Sequence, residues 1–109
     1  MLPHADRATV DPAKVRDYLL STSHPVGRFK ARVFLALGYT PDRWEILRDD
    51  LLFLARTGEA DAGQPSQFGQ KYEVSGILAG PSGRTARFTT VWLLAQGKEQ
   101  PTFITAFPG

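Results

Sequence analysis

Residues 24–34 read HPVGRFKARVF, and the rest of the chain is best interpreted from this stretch. It contains one histidine and three cations but no acidic residue. Ser23 or His24 as the cap, with Pro25 in the first turn, predicts the start of a helix. Gly38 is a typical stop signal after a helix. The stretch therefore predicts a basic helix over about residues 25–37.

Lys30 is the unusual residue of this predicted helix. With about 100° per residue, Arg28 and Arg32 fall on the solvent side, whereas Lys30 falls within the apolar side. That apolar side contains Val26, Phe29, Val33, Phe34 and Leu37. A lysine in this position either extends its ammonium group to the edge of the stripe or meets a phosphate or carboxylate. The sequence leaves both alternatives open.

Composition is that of an ordinary soluble domain. The chain has 109 residues, of which 42% are hydrophobic and 22% are charged, so we expect a single domain spanning residues 1–109. The sequence has no cysteine, which excludes disulfides and fits the reducing cytoplasm. No apolar run approaches the roughly 18 residues of a membrane span, and residues 1–10 lack the apolar segment of a signal peptide. We therefore expect a cytoplasmic protein without membrane contact.

The charge distribution favours an anionic partner. Thirteen basic and eleven acidic residues give a net charge of +2, and no acid occurs between Tyr18 and Pro41. Residues 64–109 carry four basic side chains and two acidic ones. This pattern suits a phosphate-bearing partner. A weak basic excess is also common in proteins in which it only maintains solubility.

Two further helices are predicted around the basic one. Asp11 followed by Pro12 is a typical helix start. A third helix is expected to begin at the sequence Thr40-Pro41-Asp42, continue with apolar residues at helical spacing, and end at Gly58. The helical part thus covers about residues 11–58. Residues 59–69 contain two glycines, a proline and a serine and lack periodicity, which predicts a linker.

The last third of the chain predicts strands. Apolar and polar residues alternate over 71–78 and 101–107, whereas 84–95 is rich in β-branched and aromatic residues and largely apolar on both faces. Glycine-containing turns separate these segments. In the last strand, Phe103, Thr105 and Phe107 are expected on one face, with Ala106 on the other. The prediction is an α+β fold in which about three N-terminal helices pack on a C-terminal antiparallel β-meander of three or more strands, with the sheet over residues 70–107.

Most catalytic chemistries lack the residues they need. His4 and His24 have no carboxylate at metal-ligand spacing, and the phosphate loop, the GxSxG elbow and a cysteine nucleophile are missing. Metal-free cleavage of RNA needs less, because the 2′-hydroxyl is the nucleophile and the protein supplies proton transfer and cations. No cofactor is expected. Candidate catalytic residues are His24, Lys30, Arg87, Thr90 and Thr105. For the threonines, an ordinary strand position is the alternative explanation.

Motifs along nearly the whole chain resemble a bacterial family of small proteins and toxin C-terminal domains. Their order is His24-Pro25, Gly27, Lys30-Ala31, Phe34, Gly38-Tyr39, Gly69, Tyr72, Val74, Gly76, Leu78, Gly80-Pro81, Gly83-Arg84, Val91-Trp92 and residues 104–108 (ITAFP). The last strand is similar to that of nuclease toxins of the barnase–EndoU–colicin–RelE-like fold. This resemblance implies a ribonuclease toxin with a cognate antitoxin or immunity protein, RNA (tRNA or mRNA) as the substrate, and His24, Lys30, Thr105 and Thr90 in the site.

Two other functions fit the same residues. The first is a non-catalytic binding module, such as an antitoxin, an immunity protein or an RNA-binding protein. Its sheet aromatics Phe88, Trp92, Phe103 and Phe107 would stack on bases, although the alternative for these side chains is the core. The second is a domain that forms a homodimer through an exposed sheet edge.

Overall fold

Helices come first in the chain and strands second, so the predicted α+β class is confirmed. The computed structural model describes residues 1–25 and 28–109. The helices are α1 (Pro12–Lys14), which continues as a π-helical turn (Val15–Leu19), α2 (Arg28–Ala36) and α3 (Trp44–Thr57), with short 3-10 turns at Ala5–Arg7 and Pro41–Arg43. The strands are β1 (Glu59–Ser66), β2 (Gly69–Ala79), β3 (Thr85–Ala95) and β4 (Thr102–Pro108). They form one antiparallel meander in the order β1-β2-β3-β4.

Helix starts agree with the sequence signals to different degrees. Asp11 caps α1, because its side chain accepts a hydrogen bond of 3.0 Å from the backbone N–H of Ala13. Thr40 makes no such cap, and a 3-10 turn forms after it, so α3 begins only at Trp44. The basic helix is described from Arg28 onward. Residues 26 and 27, which the prediction included, lie outside the described residues.

Gly58 ends α3 for a steric reason. Its φ is −78°, which any residue can adopt. A Cβ atom at this position would lie 2.6 Å from the Ser75 carbonyl oxygen and 2.8 Å from Cγ1 of Val74. Glycine is therefore required because the end of α3 passes directly over β2.

The segment predicted as a linker, 59–69, is the main error in the sequence-based fold. Residues Glu59–Ser66 form β1, which pairs with β2 from Glu59↔Ser75 to Ser66↔Gly69. All side chains of β1 except Ala60 are exposed, so the segment has no hydrophobic alternation for a pattern to detect. The strand forms through backbone pairing at an edge, where Pro65 is tolerated.

β4 departs from simple alternation because of an irregularity in its pairing with β3. Thr105 pairs with Val91 and Phe103 pairs with Trp92, so one extra residue of β4 lies between these pairs. As a result Phe103 and Ala106 are both buried, although the alternating pattern places them on opposite faces. The predicted facing of this strand was therefore wrong beyond the bulge.

One aromatic stack attaches α2 to the sheet. The rings of Phe34 and Phe88 are 4.7 Å apart at an interplanar angle of 17°, and both side chains are fully buried. Leu47, Leu51 and Leu54 of α3 are also buried in the core. The core thus lies between the helices and one face of the sheet.

Substitution Phe34→Ala should lower the free energy of unfolding by about 3–5 kcal/mol, because it removes a fully buried ring and leaves a cavity beside Phe88. The matched control is Phe53→Ala, since Phe53 is 65% exposed and its removal should cost less than about 0.5 kcal/mol. Urea denaturation measures both values. Equal losses in the two variants would contradict the assigned role of the stack.

Candidate functional site

Lys30 links α2 to the last strand of the sheet. Its Nζ donates a hydrogen bond of 2.8 Å to Oγ1 of Thr105 on β4 and one of 3.1 Å to the phenol oxygen of Tyr18. The Lys30 side chain is half-buried. Both of these partners of the Lys30 ammonium are neutral hydroxyls rather than carboxylates. An ammonium has three donors, so one donor of Lys30 remains for another ligand.

His24 joins the same group through Tyr18. The two rings contact each other edge to face, with centroids 4.9 Å apart and an interplanar angle of 84°. We call Tyr18, His24, Lys30 and Thr105 the Lys30 cluster. All four side chains are half-buried, which leaves them partly accessible from solvent. The cluster therefore combines two proton-transfer groups and one cation at a single surface position.

The cluster shifts the pKa of Tyr18. Burial alone raises the pKa of its phenol, but hydrogen bonds with Thr105 and Lys30 and the charges of Lys30 and Lys14 outweigh burial. The net effect is a Tyr18 pKa lowered from its usual value near 10. A phenol with a lowered pKa is a better proton donor, because its anion is stabilised where it forms.

Three of the five sequence-predicted site residues come together in this way: His24, Lys30 and Thr105. Thr90 does not join them. Its side chain is fully buried and donates a hydrogen bond of 2.8 Å to the Val74 carbonyl, while the indole N–H of Trp92 donates one of 2.7 Å to its hydroxyl oxygen. Thr90 is therefore part of the core, where a bound substrate has no access.

Arg87 also lies apart from the Lys30 cluster. It is exposed on β3, opposite Ile77 of β2, and it lines a cleft between α3 and β2. This cleft has a volume of about 470 Å³ and shares no residue with the Lys30 cluster. The structure therefore separates Arg87 from the other charged candidates.

Tyr18 is the member of the site that the sequence did not indicate. Its spacing from Val15 and Leu19 places it on the buried face of the first helix, and by that criterion it is a core residue. Val15 and Leu19 are fully buried, whereas Tyr18 is only partly so. The π-helical turn packs against α2, and this contact brings Tyr18 beside Lys30. The only sequence signal near Tyr18 is that the segment without acidic residues begins there.

The alternative base-stacking surface is contradicted by burial. Phe88 and Trp92 are fully buried, and Phe103 is 3% exposed. Phe107, at 37%, is the only member of the proposed set that is exposed. Three of the four aromatics thus belong to the core, because the buried sheet face is the one that the helices cover.

Among residues 1–25 and 28–109, no three acidic or histidine side chains converge as metal ligands would. None of the helices that the structure describes is both long enough and apolar enough to cross a membrane.

The fold occurs in a solved structure. A chain in the contact-dependent growth inhibition toxin–immunity protein complex from Klebsiella pneumoniae 342 superposes with a TM-score of 0.74 and 23% sequence identity, and the match covers 96% of each chain. At this identity the match shows a shared fold. No curated protein matches the sequence. The family model described as a domain of unknown function, DUF6883, matches residues 1–109, and the chain therefore belongs to this family.

Proposed function

We propose that this protein is a metal-independent ribonuclease that acts as the toxin of a bacterial toxin–immunity or toxin–antitoxin pair. The observation that carries the proposal is the Lys30 cluster, in which a lysine ammonium contacts a phenol of lowered pKa beside a histidine. RNA, as tRNA or mRNA, is the substrate, and the reaction takes place in the cytoplasm.

The cleavage is an internal transfer at phosphorus. The 2′-oxygen bonds to the phosphorus while the bond from phosphorus to the 5′-oxygen breaks. His24 accepts the proton of the 2′-hydroxyl, and Tyr18 donates its proton to the departing 5′-oxygen. The products are a 2′,3′-cyclic phosphate and a 5′-hydroxyl. Atoms and charges balance without a metal or another reactant.

Lys30 has two roles in this scheme. Its free donor binds a phosphate oxygen and stabilises the negative charge that develops on the phosphorane. Its bond to Tyr18 stabilises the phenolate that remains after proton donation. Thr105 acts as a positioning residue, because its hydroxyl holds the Lys30 ammonium 2.8 Å away.

Charge supports a role as the toxin, and the fold supports membership of a toxin–immunity pair. The segment between Tyr18 and Pro41 contains no acidic residue, and it supplies both His24 and Lys30. A polyanionic substrate favours such a surface. The fold is shared with a chain in a toxin–immunity protein complex, which is consistent with a cognate protein partner. The second candidate is the immunity or antitoxin component of such a pair, since that complex contains an immunity protein as well as a toxin.

Substitutions His24→Ala and Lys30→Ala should each abolish growth arrest and RNA cleavage when the chain is expressed alone in a bacterial host, because each removes one step of the transfer. Loss of a positioned acid or base typically costs about 10²–10⁴-fold in rate. Growth curves and total RNA separated on a gel measure the effect. His4→Ala and Lys98→Ala, both exposed and outside the cluster, are the matched controls.

Growth and intact RNA with the unsubstituted chain would argue against the ribonuclease and in favour of the immunity or antitoxin role. Cleavage that persists in both the His24 and the Lys30 variants would show that the Lys30 cluster is not the catalytic site. Circular dichroism spectra of the purified variants ensure that lost activity does not reflect unfolding.

The pH dependence of cleavage should show an alkaline limb that belongs to Tyr18. As a proton donor, Tyr18 is active in its protonated form, so the rate should fall as pH rises through its pKa, which is lowered from the usual value near 10. Tyr18→Phe should reduce the rate by about 10²–10⁴-fold and remove this limb. Steady-state cleavage of a short fluorescent RNA across pH measures both effects.

Thr105→Val provides a sharper test of the same assignment. This variant keeps the phenol but loses the hydroxyl that lowers the Tyr18 pKa. The alkaline limb should therefore move to higher pH while cleavage remains measurable. An alkaline limb at the same pH in the Thr105→Val variant would rule out Tyr18 as its source.

A further inference from the structure

β2 extends beyond the strand that pairs with it. β1 pairs with β2 only as far as Glu59↔Ser75, whereas β2 continues through Ala79. Among the described residues, 76–79 therefore have β3 on one side and no strand on the other. Successive residues of an antiparallel strand direct their N–H and C=O groups alternately to its two sides. This short edge therefore presents unpaired backbone groups to an incoming strand.

The cleft beside this edge is apolar at its rim. Phe53 of α3 and Ile77 of β2 both line it, and they are 65% and 57% exposed. The structure thus exposes two large apolar side chains next to one open sheet edge. Exposed apolar side chains that lie together are typical of protein interaction surfaces, whereas single scattered ones occur on any protein surface.

Two glycines fix the shape of the cleft. A Cβ atom on Gly76 would overlap Cδ1 of Leu54, and one on Gly58 would lie 2.9 Å from the Leu54 carbonyl oxygen. Neither glycine position has room for a side chain, so α3 and β2 are in close contact here. The cleft is formed by two regular elements in direct contact and is already open for a ligand.

Arg87 supplies an unused positive charge at the same place. The described residues give it neither a salt bridge nor a side-chain hydrogen bond, although Asp50 and Glu59 line the same cleft. The hydrogen bond of 2.6 Å that Asp50 accepts from the Tyr39 hydroxyl leaves the charge of Asp50 in place, but neither carboxylate is bonded to Arg87. The Arg87 guanidinium is therefore available to pair with a carboxylate that a partner brings.

We propose that this cleft binds an extended segment of a partner protein, which adds as a strand to β2 at residues 76–79. Apolar side chains of the segment pack against Phe53 on the α3 side of the sheet and against Ile77 on its other face, and an acidic side chain pairs with Arg87. Backbone hydrogen bonds along the edge provide affinity, and these side chains provide specificity. The surface shares no residue with the Lys30 cluster, so the proposal is independent of catalysis.

The test uses the full chain and a phage-displayed library of random dodecapeptides. Peptides are selected on the wild-type chain and counter-selected on Ile77→Lys. We expect enriched sequences that contain apolar residues and an acid. A synthetic copy of the most enriched peptide should bind Ile77→Lys and Arg87→Glu at least about tenfold more weakly, by fluorescence anisotropy. Exchanging the acid of the peptide for lysine should restore its binding to Arg87→Glu.

Two controls define the location and the independence of the site. Amide chemical shifts in ¹H–¹⁵N spectra should change at residues 76–79 when the peptide is added to the chain. Phe53→Ser should be a second variant that weakens peptide binding. Lys30→Ala should bind the peptide like the wild type, whether or not the cluster cleaves RNA. Failure of the proposed catalysis therefore does not affect this measurement.

Three results would overturn the proposal. They are a selection without enrichment, peptides that bind Ile77→Lys and Arg87→Glu as tightly as the wild type, and amide shifts confined to the Lys30 cluster. Sedimentation velocity adds a fourth: a wild-type dimer that Ile77→Lys converts to a monomer would assign the edge to a second copy of this chain.

Discussion

The contact between Phe34 and Phe88 is the constraint on which the candidate site depends. The stack fixes α2 against β3, and Lys30 lies one helical turn before Phe34 on the same helix. Lys30 therefore projects toward the sheet, where Thr105 of β4 lies within hydrogen-bond distance. A lysine on the apolar side of a helix is thus compatible with folding, because neutral hydroxyls hold its ammonium group and solvent remains accessible. The site is a consequence of how the core packs.

Much of the fold can be predicted from local signals in the sequence. The errors of that prediction have physical causes. The Asp11 cap, the end of α3 at Gly58 and the order of helices and strands are encoded within a few residues, so they are visible in the sequence. β1 is not visible, because an edge strand with exposed side chains is held by backbone bonds that carry no hydrophobic pattern. The facing of β4 changes at an extra residue, and alternation cannot reveal a bulge that depends on the neighbouring strand.

The candidate site shows the same division between local and tertiary information. Lys30 is conspicuous in the sequence because it falls on the apolar side of its helix, and His24 because it is one of only two histidines. Thr105 is one of several strand threonines, and only its contact with Lys30 distinguishes it from Thr90 in the core. Tyr18 looks like any apolar-face residue of a helix. Its chemistry arises from tertiary contacts with Lys30 and Thr105, so no spacing rule identifies it.

The sheet order places the two proposed surfaces on different parts of the molecule. Thr105 belongs to β4 at one edge of the sheet, whereas residues 76–79 form the exposed part of β2 on the opposite side of β3. A segment added to β2 would extend the sheet away from β4, and its bound position would leave the Lys30 cluster uncovered. A partner that docks there would inhibit the site only through a second part of its own structure. The proposed binding and the proposed catalysis are therefore separable by substitution, since no side chain serves both surfaces.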